Sequence, residues 1–102
     1  MAASKSPQDH RRAIELQTSI LEKQATGAFD ARRYVEALLA LDQRDAIAPQ
    51  RNDLMVMRGY AYLNLGRWGD AERVFRAVAK TGNRDAARGL AELKSARHPR
   101  NN

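Results

Sequence analysis

The side chains that most often carry out covalent or metal chemistry are scarce in this sequence. It has no cysteine in 102 residues, which excludes a thiolate nucleophile, a thiolate metal site and a disulfide. Its two histidines, His10 and His98, lie near opposite ends of the chain and do not form the pair at helical spacing that binds zinc. None of its four serines belongs to a recognisable catalytic triad. We therefore expect no enzyme activity, no metal and no cofactor.

The chemistry that the sequence does offer is electrostatic. The chain carries 18 lysines and arginines against 12 acidic residues, and the excess lies in its C-terminal half. A basic patch is expected at Arg73, Arg76, Lys80, Arg84 and Arg88, the first three of which recur at helical spacing. Such a stripe is typical of a solvated outer face, and it can also meet a nucleic acid backbone or an acidic protein. No aromatic residues interleave with it, which disfavours single-stranded nucleic acid.

The composition limits the size and the class of the protein. One compact domain or a short repeat array fits 102 residues, and 18 of the hydrophobic residues are alanine, so the core must come from close helix packing. No stretch approaches the length of a membrane helix, and the N-terminus lacks a hydrophobic run. These features favour a cytoplasmic protein without membrane insertion. Arginine makes up 14 of the 18 basic residues, which favours a bacterial source.

Apolar residues recur at helical spacing along the chain and predict five helices and no strands. Pro7, Pro49 and the glycines at 66, 69 and 82 mark the breaks. The predicted helices cover about 7–30, 34–46, 53–65, 71–80 and 84–97, with a turn over 66–70 and Asn83 as the cap of the last helix.

The sequence also matches itself at an offset of 34 residues. The matched pairs keep their size class: Leu21 with Met55, Ala25 with Gly59, Ala28 with Tyr62, Tyr34 with Trp68, Ala37 with Ala71, and Leu41 with Phe75. Within 52–85, the spacing of Gly59, Tyr62, Trp68, Ala71 and Phe75 resembles the tetratricopeptide repeat family, and Pro49 stands where that pattern closes a repeat.

The resemblance implies an all-α fold, a fragment of a right-handed α-solenoid built from antiparallel helix pairs. It places repeats at 18–51 and 52–85 and a capping helix at 84–97, inside one domain over 7–97. We expect a flexible N-terminus at 1–6 and a disordered tail at 98–102. Small residues at Gly59 and Ala71 should let paired helices approach, with Tyr62, Trp68 and Phe75 filling the space around the crossing.

In this family the first helix of each repeat lines a concave groove that meets the partner. The positions that the resemblance assigns to this groove are Glu22, Thr26, Phe29 and Asp30 in the first repeat, Asp53, Val56, Tyr60, Leu63 and Asn64 in the second, and Leu90 and Lys94 in the capping helix. This lining is mainly apolar, with Tyr60 at its centre. The carboxylate clamp of family members that bind heat-shock chaperones is not expected, because Val56, Met57 and Tyr60 stand in its place.

The function predicted from these features is a non-catalytic protein-interaction module. Its partner is expected to be another protein or peptide, an amphipathic helix above all, and a homodimer remains open. One version is a small chaperone or adaptor similar to those of bacterial type III secretion. Alternatives are a fragment of a larger scaffold similar to exopolysaccharide export components, and a binder of RNA or an acidic protein through the basic patch.

Overall fold

The computed structural model describes residues 7–97, and this part of the chain consists of helices joined by short turns. The five helices are α1 (Pro7–Asp30), α2 (Tyr34–Asp45), α3 (Asn52–Asn64), α4 (Trp68–Ala79) and α5 (Arg84–Arg97). No strand occurs within 7–97, so the prediction of an all-α fold is confirmed. The predicted flexible N-terminus at 1–6 and tail at 98–102, which includes His98, lie outside the described residues.

The predicted start of the fourth helix was wrong by three residues. The turn expected over 66–70 is shorter, because α4 already begins at Trp68 and the Ala71 amide donates to the Arg67 carbonyl at 3.0 Å. Asp70 lies in the first helical turn, where a carboxylate interacts favourably with the helix dipole, and it pairs with Arg67 at 2.7 Å. Gly69 is therefore an ordinary helical residue, and only Gly66 reverses the chain.

The turns that end α1 and α3 are equivalent and lie 34 residues apart. Arg32 and Gly66 both have a positive φ, of 62° and 75°, as residues that follow a helix C-terminus often do. The next residue in each turn, Arg33 or Arg67, donates its amide to a carbonyl five residues back at 2.8 or 2.9 Å. The helices α2 and α4 then start 34 residues apart and have 12 residues each. The repeat seen in the sequence is thus also a repeat of backbone geometry.

The turn between α4 and α5 uses the residues that the sequence marks for it. Gly82 has a φ of 87°, which glycine adopts without steric cost. The Asn83 side chain then accepts a hydrogen bond from the Ala86 amide at 2.9 Å, as predicted for the cap of α5.

The main core lies where α3, α4 and α5 meet, and Phe75 is at its centre. Its ring is fully buried between two glycines, Gly59 of α3 and Gly89 of α5. A Cβ atom added at either glycine would come within 2.5 Å of the ring, so both positions require the smallest residue. The close approach predicted at Gly59 is confirmed, and Gly89 was missed. Trp68 does not fill this crossing as expected, because it is 38% exposed at the start of α4.

A smaller core joins α1 and α2 to the start of α3. It is built from Ala25, Ala40, Leu41 and Leu54. Ile20 of α1 is 47% exposed, although the next residue, Leu21, is only 6% exposed. The buried face of α1 runs through Leu21, Ala25 and Ala28, and Ile20 lies outside it.

The packing of neighbouring helices differs between the two ends of the domain. Each of α2, α3, α4 and α5 packs closely on the helix before it in the chain, and α3 also packs closely on α5. The helices α1 and α3 are not packed closely on each other. A space therefore remains between α1 and α3, whereas α3 and α5 leave no such space between them.

Candidate partner-binding grooves

The space between α1 and α3 forms a groove with a volume of about 630 Å³, called the α1–α3 groove below. It is lined by Ser19, Glu22, Lys23, Thr26, Gly27, Asp30, Arg51, Asp53, Leu54 and Met57. The structure therefore brings together Glu22, Thr26, Asp30 and Asp53, four of the positions assigned to the concave surface. The signal that found them was the helical register of the 34-residue repeat.

The α1–α3 groove carries more charged side chains than the sequence suggested, although most of its accessible lining is apolar. Its apolar floor is limited to Leu54, which is buried, and Met57, which is half-buried. The ionisable groups around this floor have both signs, three carboxylates against Lys23 and Arg51. The groove can thus offer hydrogen bonds along its walls and one apolar contact area at its base.

One wall of the groove is fixed by ion pairs centred on Arg51. This arginine reaches from the α2–α3 turn to Glu22 of α1 at 3.1 Å and to Asp53 of α3 at 2.6 Å. Its hydrogen bond to Asp53 holds the pKa of that carboxyl below its ordinary value. The Asp53 carboxylate therefore stays ionised at neutral pH, and Arg51 links α1 to α3 across the groove.

A buried arginine network lies behind this wall, and the sequence analysis missed it. Arg44 of α2 is 3% exposed and donates to Glu22 of α1 at 2.9 Å and to the Pro49 carbonyl at 2.8 Å. Arg58 of α3, also buried, pairs with Asp42 at 2.7 Å and Asp45 at 2.9 Å. Arg44 also pairs with Asp45 at 3.2 Å, so the two arginines share one carboxylate. The sequence signal for this network was the position of Arg44, three residues after Leu41 and therefore on the buried face of α2.

The residues expected to form an apolar groove lie elsewhere. Val56, Tyr60 and Leu63 are half-buried and pack against the core of α4 and α5. The ring of Tyr60 meets that of Phe75 edge to face, with centroids 5.0 Å apart. Burial, together with the Glu92 carboxylate of α5, raises the pKa of Tyr60 to about 12. Since α5 packs on this side of α3, these side chains contribute mainly to the fold.

Two further predicted positions make contacts within their own repeat. Phe29 is half-buried and meets Tyr34 edge to face across the α1–α2 turn, with centroids 5.4 Å apart. Asn64 is exposed, and its side-chain amide donates to the Tyr60 carbonyl at 2.8 Å. Neither residue lines the α1–α3 groove.

Leu90 and Lys94 belong to a second depression, between α4 and α5, called the α4–α5 cleft below. Its volume is about 260 Å³, and it is lined by Glu72, Arg76, Leu90, Leu93, Lys94 and Arg97. Leu90 and Lys94 are thus separated from the other assigned positions, which lie on α1 and α3. The cleft combines leucines at its base with basic side chains at its rim.

The predicted basic patch is divided between two helices. Arg73, Arg76 and Lys80 are exposed and line a shallow depression of about 350 Å³ on α4. Arg84 and Arg88 are exposed on α5 and line neither this depression nor the α4–α5 cleft. Part of the charge on α4 is neutralised, because Arg73 pairs with Asp70 at 2.7 Å and Arg76 pairs with Glu72.

The described residues show no arrangement for metal binding or membrane insertion. Among residues 7–97, no group of three histidine, aspartate or glutamate side chains is placed to hold a metal ion. Over the same range, no helix has both the length and the apolar character needed to cross a bilayer. His10 is exposed near the start of α1. Comparisons of the chain with protein-family models, with curated proteins and with solved structures gave no match.

Proposed function

We propose that this chain is a non-catalytic, tetratricopeptide-like interaction module that binds a peptide segment of a partner protein in the α1–α3 groove. The observation that supports this most directly is the groove itself. It is about 630 Å³ in volume, and it lies between the first helices of two consecutive helix pairs. Its lining includes Glu22, Thr26 and Asp53, which the repeat register had assigned to the partner surface.

The groove is already organised in the absence of a partner, which favours binding. Arg51 fixes the positions of Glu22 and Asp53 on opposite sides, and Arg44 holds Glu22 from behind. A preorganised surface loses less conformational entropy when a partner binds than a mobile one. The groove therefore suits a segment that arrives as the flexible component.

The lining defines the chemistry of this segment. Leu54 and Met57 provide space for one apolar side chain at the base, and Thr26 provides an exposed hydroxyl on the wall. The carboxylates and cations of the lining nearly balance, so a strongly charged segment gains little from long-range attraction. We expect a segment with one apolar anchor, flanked by polar residues that hydrogen-bond to both walls.

The test is a selection of binding peptides with a matched pair of variants. A displayed library of about 12-residue random peptides is panned against the wild-type chain, since a segment of this length spans a groove of this size. The recovered peptides are then measured against Thr26→Arg, which places a long side chain in the groove from an exposed position. Gln17→Arg adds the same charge on an exposed part of α1 that does not line the groove.

We expect peptides with a shared apolar anchor whose affinity falls at least about tenfold with Thr26→Arg and less than about twofold with Gln17→Arg. Helical content must be the same in the three proteins by circular dichroism. Recovery of no peptide family, or of peptides that Thr26→Arg binds as tightly as the wild type, contradicts the proposal.

A further inference from the structure

The α4–α5 cleft has leucine side chains at its base and positively charged side chains around its rim. Leu93 is buried at its base, and Leu90 is half-buried beside it. Arg76 of α4 and Lys94 and Arg97 of α5 surround these leucines. An apolar floor within a basic rim is complementary to a segment with apolar anchors and acidic flanks.

The basic rim is held in place by a carboxylate beneath it. Glu72 of α4 accepts a hydrogen bond from Arg97 at 2.6 Å and also pairs with Arg76. These two guanidinium groups lower the pKa of Glu72, so it remains ionised at neutral pH. Glu72 therefore positions one arginine from each helix at the edge of the cleft. Each guanidinium keeps further N–H donors for a carboxylate of a partner.

The charge continues beyond the cleft onto the outer face of α4. The depression lined by Arg73 and Lys80 shares Glu72 and Arg76 with the α4–α5 cleft, so the two form one surface. Among the described residues, its lining contains five cations and the carboxylate of Glu72, and Asp70 beside the lining pairs with Arg73. The surface therefore keeps an excess of positive charge. The lining of the depression on α4 also includes Gly69 and Ala77, which are small enough for a helix backbone to approach.

The observations favour a protein over a nucleic acid as the occupant. Leucines at the base gain nothing from a phosphate backbone. Within residues 7–97, no aromatic residue lines either depression, so this part of the chain offers bases no platform for stacking. A partner helix can lie along α5, whose 14 residues span about 21 Å.

We propose that the surface formed by α4 and α5 is a second docking site, which binds an acidic amphipathic helix of a partner protein. The leucine-type anchors of that helix contact the half-buried Leu90, which lies beside the buried Leu93, and its carboxylates pair with Arg76, Lys94 and Arg97. This proposal does not depend on the α1–α3 groove, whose lining has nearly balanced charge.

The test uses a synthetic, fluorescein-labelled helical peptide of about 16 residues, long enough to match α5. Leucines stand on one face of this peptide and glutamates on the other. One control peptide has alanine in place of the leucines, and another has lysine in place of the glutamates. Binding is measured by fluorescence anisotropy at about 50 and about 150 mM NaCl, because both direct and long-range charge effects depend on salt.

The protein variants separate local contacts from net charge. Arg76→Glu reverses a charge at the centre of the surface, at a side chain that is 64% exposed. Arg88→Glu makes the same change on an exposed part of α5 outside both depressions. We expect the acidic leucine peptide to bind at least about tenfold more weakly to Arg76→Glu, and within about threefold of wild type to Arg88→Glu. Thr26→Arg should bind this peptide as the wild type does, which separates this site from the α1–α3 groove.

Four results would each overturn the proposal. The two arginine variants could weaken binding equally, which would indicate net charge alone. The control peptide with alanines could bind as tightly as the leucine peptide, which would show that the leucines of the cleft do not contribute to binding. Thr26→Arg could abolish binding, which would place the peptide in the α1–α3 groove. An oligouridine of about 16 nucleotides could bind more tightly than the peptide, which would assign the surface to RNA.

Discussion

Replacement of Gly59 by alanine should destabilise this protein, although alanine is the better helix former. Gly59 lies inside α3, where alanine is favoured over glycine by about 1 kcal/mol. Its Cβ atom, however, would lie 2.5 Å from Cε1 and 2.7 Å from Cδ1 of the Phe75 ring. These separations are far below an ordinary carbon–carbon contact of about 3.5–4.0 Å.

The Phe75 ring cannot move away from a methyl group at position 59. Gly89 lies against the same ring, and a Cβ atom there would be 2.5 Å from Cε1 and 2.6 Å from Cζ. A ring displaced from α3 would therefore press against α5. Phe75 is completely buried, so no solvent-filled space is available for it. The strain must be relieved by separation of the helices.

Overpacking of this kind costs about 1–3 kcal/mol. Separations as short as 2.5 Å place the cost in the upper part of that range, about 2–3 kcal/mol. With the gain of about 1 kcal/mol in helix propensity subtracted, we expect Gly59→Ala to lower the free energy of unfolding by about 1–2 kcal/mol. For a domain of this size, that corresponds to a fall in the melting temperature of about 5–10 °C. Urea denaturation followed by circular dichroism measures the change directly.

A matched control comes from Gly27 in α1, where an added Cβ atom would meet nothing within 4 Å. Gly27→Ala should leave stability unchanged or raise it by up to about 1 kcal/mol. Phe75→Leu removes the ring, and in that background Gly59→Ala should lose most of its cost. If Gly59→Ala is as stable as the wild type, the ring is not confined as described and this reasoning is refuted.

Substitutions at three other positions test separate parts of the structure. Arg44→Ala should lower the free energy of unfolding by about 3 kcal/mol. Arg44→Met should cost about half as much, because methionine fills the same space and the two carboxylates that contact Arg44 keep their ion pairs with Arg51 and Arg58. Equal costs for the two variants in urea denaturation would contradict this. Arg32→Gly should raise the free energy of unfolding by about 0.5–1 kcal/mol, because Arg32 adopts a φ of 62°, a conformation that favours glycine. A lower melting temperature for Arg32→Gly than for the wild type would contradict this prediction. The raised pKa of Tyr60, about 12 against an ordinary 10.0, means that its neutral form stabilises the folded state. This stabilisation is fully present below pH 10 and is lost as the pH rises towards 12. Tyr60→Phe should therefore reduce the alkaline loss of stability, measured by urea denaturation at a series of pH values. An unchanged pH dependence in the variant would argue against the assigned cause.

The helices and their turns could be predicted because their signals are local. Gly66, Gly82 and Asn83 determine turn geometry within a few residues of chain, and the structure uses each of them as expected. Phe75 was identified through its spacing from Gly59 and Ala71. The partner on its other face, Gly89, could not be identified, because its role depends on how α5 is placed against α4. Trp68 shows that the size of an apolar side chain does not by itself predict its burial, since a large apolar residue at the start of a helix can remain exposed.

The candidate site was predicted only in part, for a physical reason. Register places a residue on a helix face, but it does not say whether another helix covers that face. Tyr60 and Thr26 were assigned to one concave surface, yet α5 packs over the side of α3 that carries Tyr60, whereas no helix packs over Thr26. The burial of Arg44 was not predicted, because the carboxylate that stabilises it, Glu22, lies far away in the sequence.

The most direct test of the account is to locate a bound peptide on the protein. The ¹⁵N-labelled chain is titrated with the tightest peptide from the library selection, and backbone amide shifts are followed by nuclear magnetic resonance. The account predicts that the largest shifts occur around Thr26 in α1 and Asp53 in α3, with α5 little affected. Largest shifts on α4 and α5, or shifts spread evenly over the surface, would contradict the claim that the α1–α3 groove is the partner site.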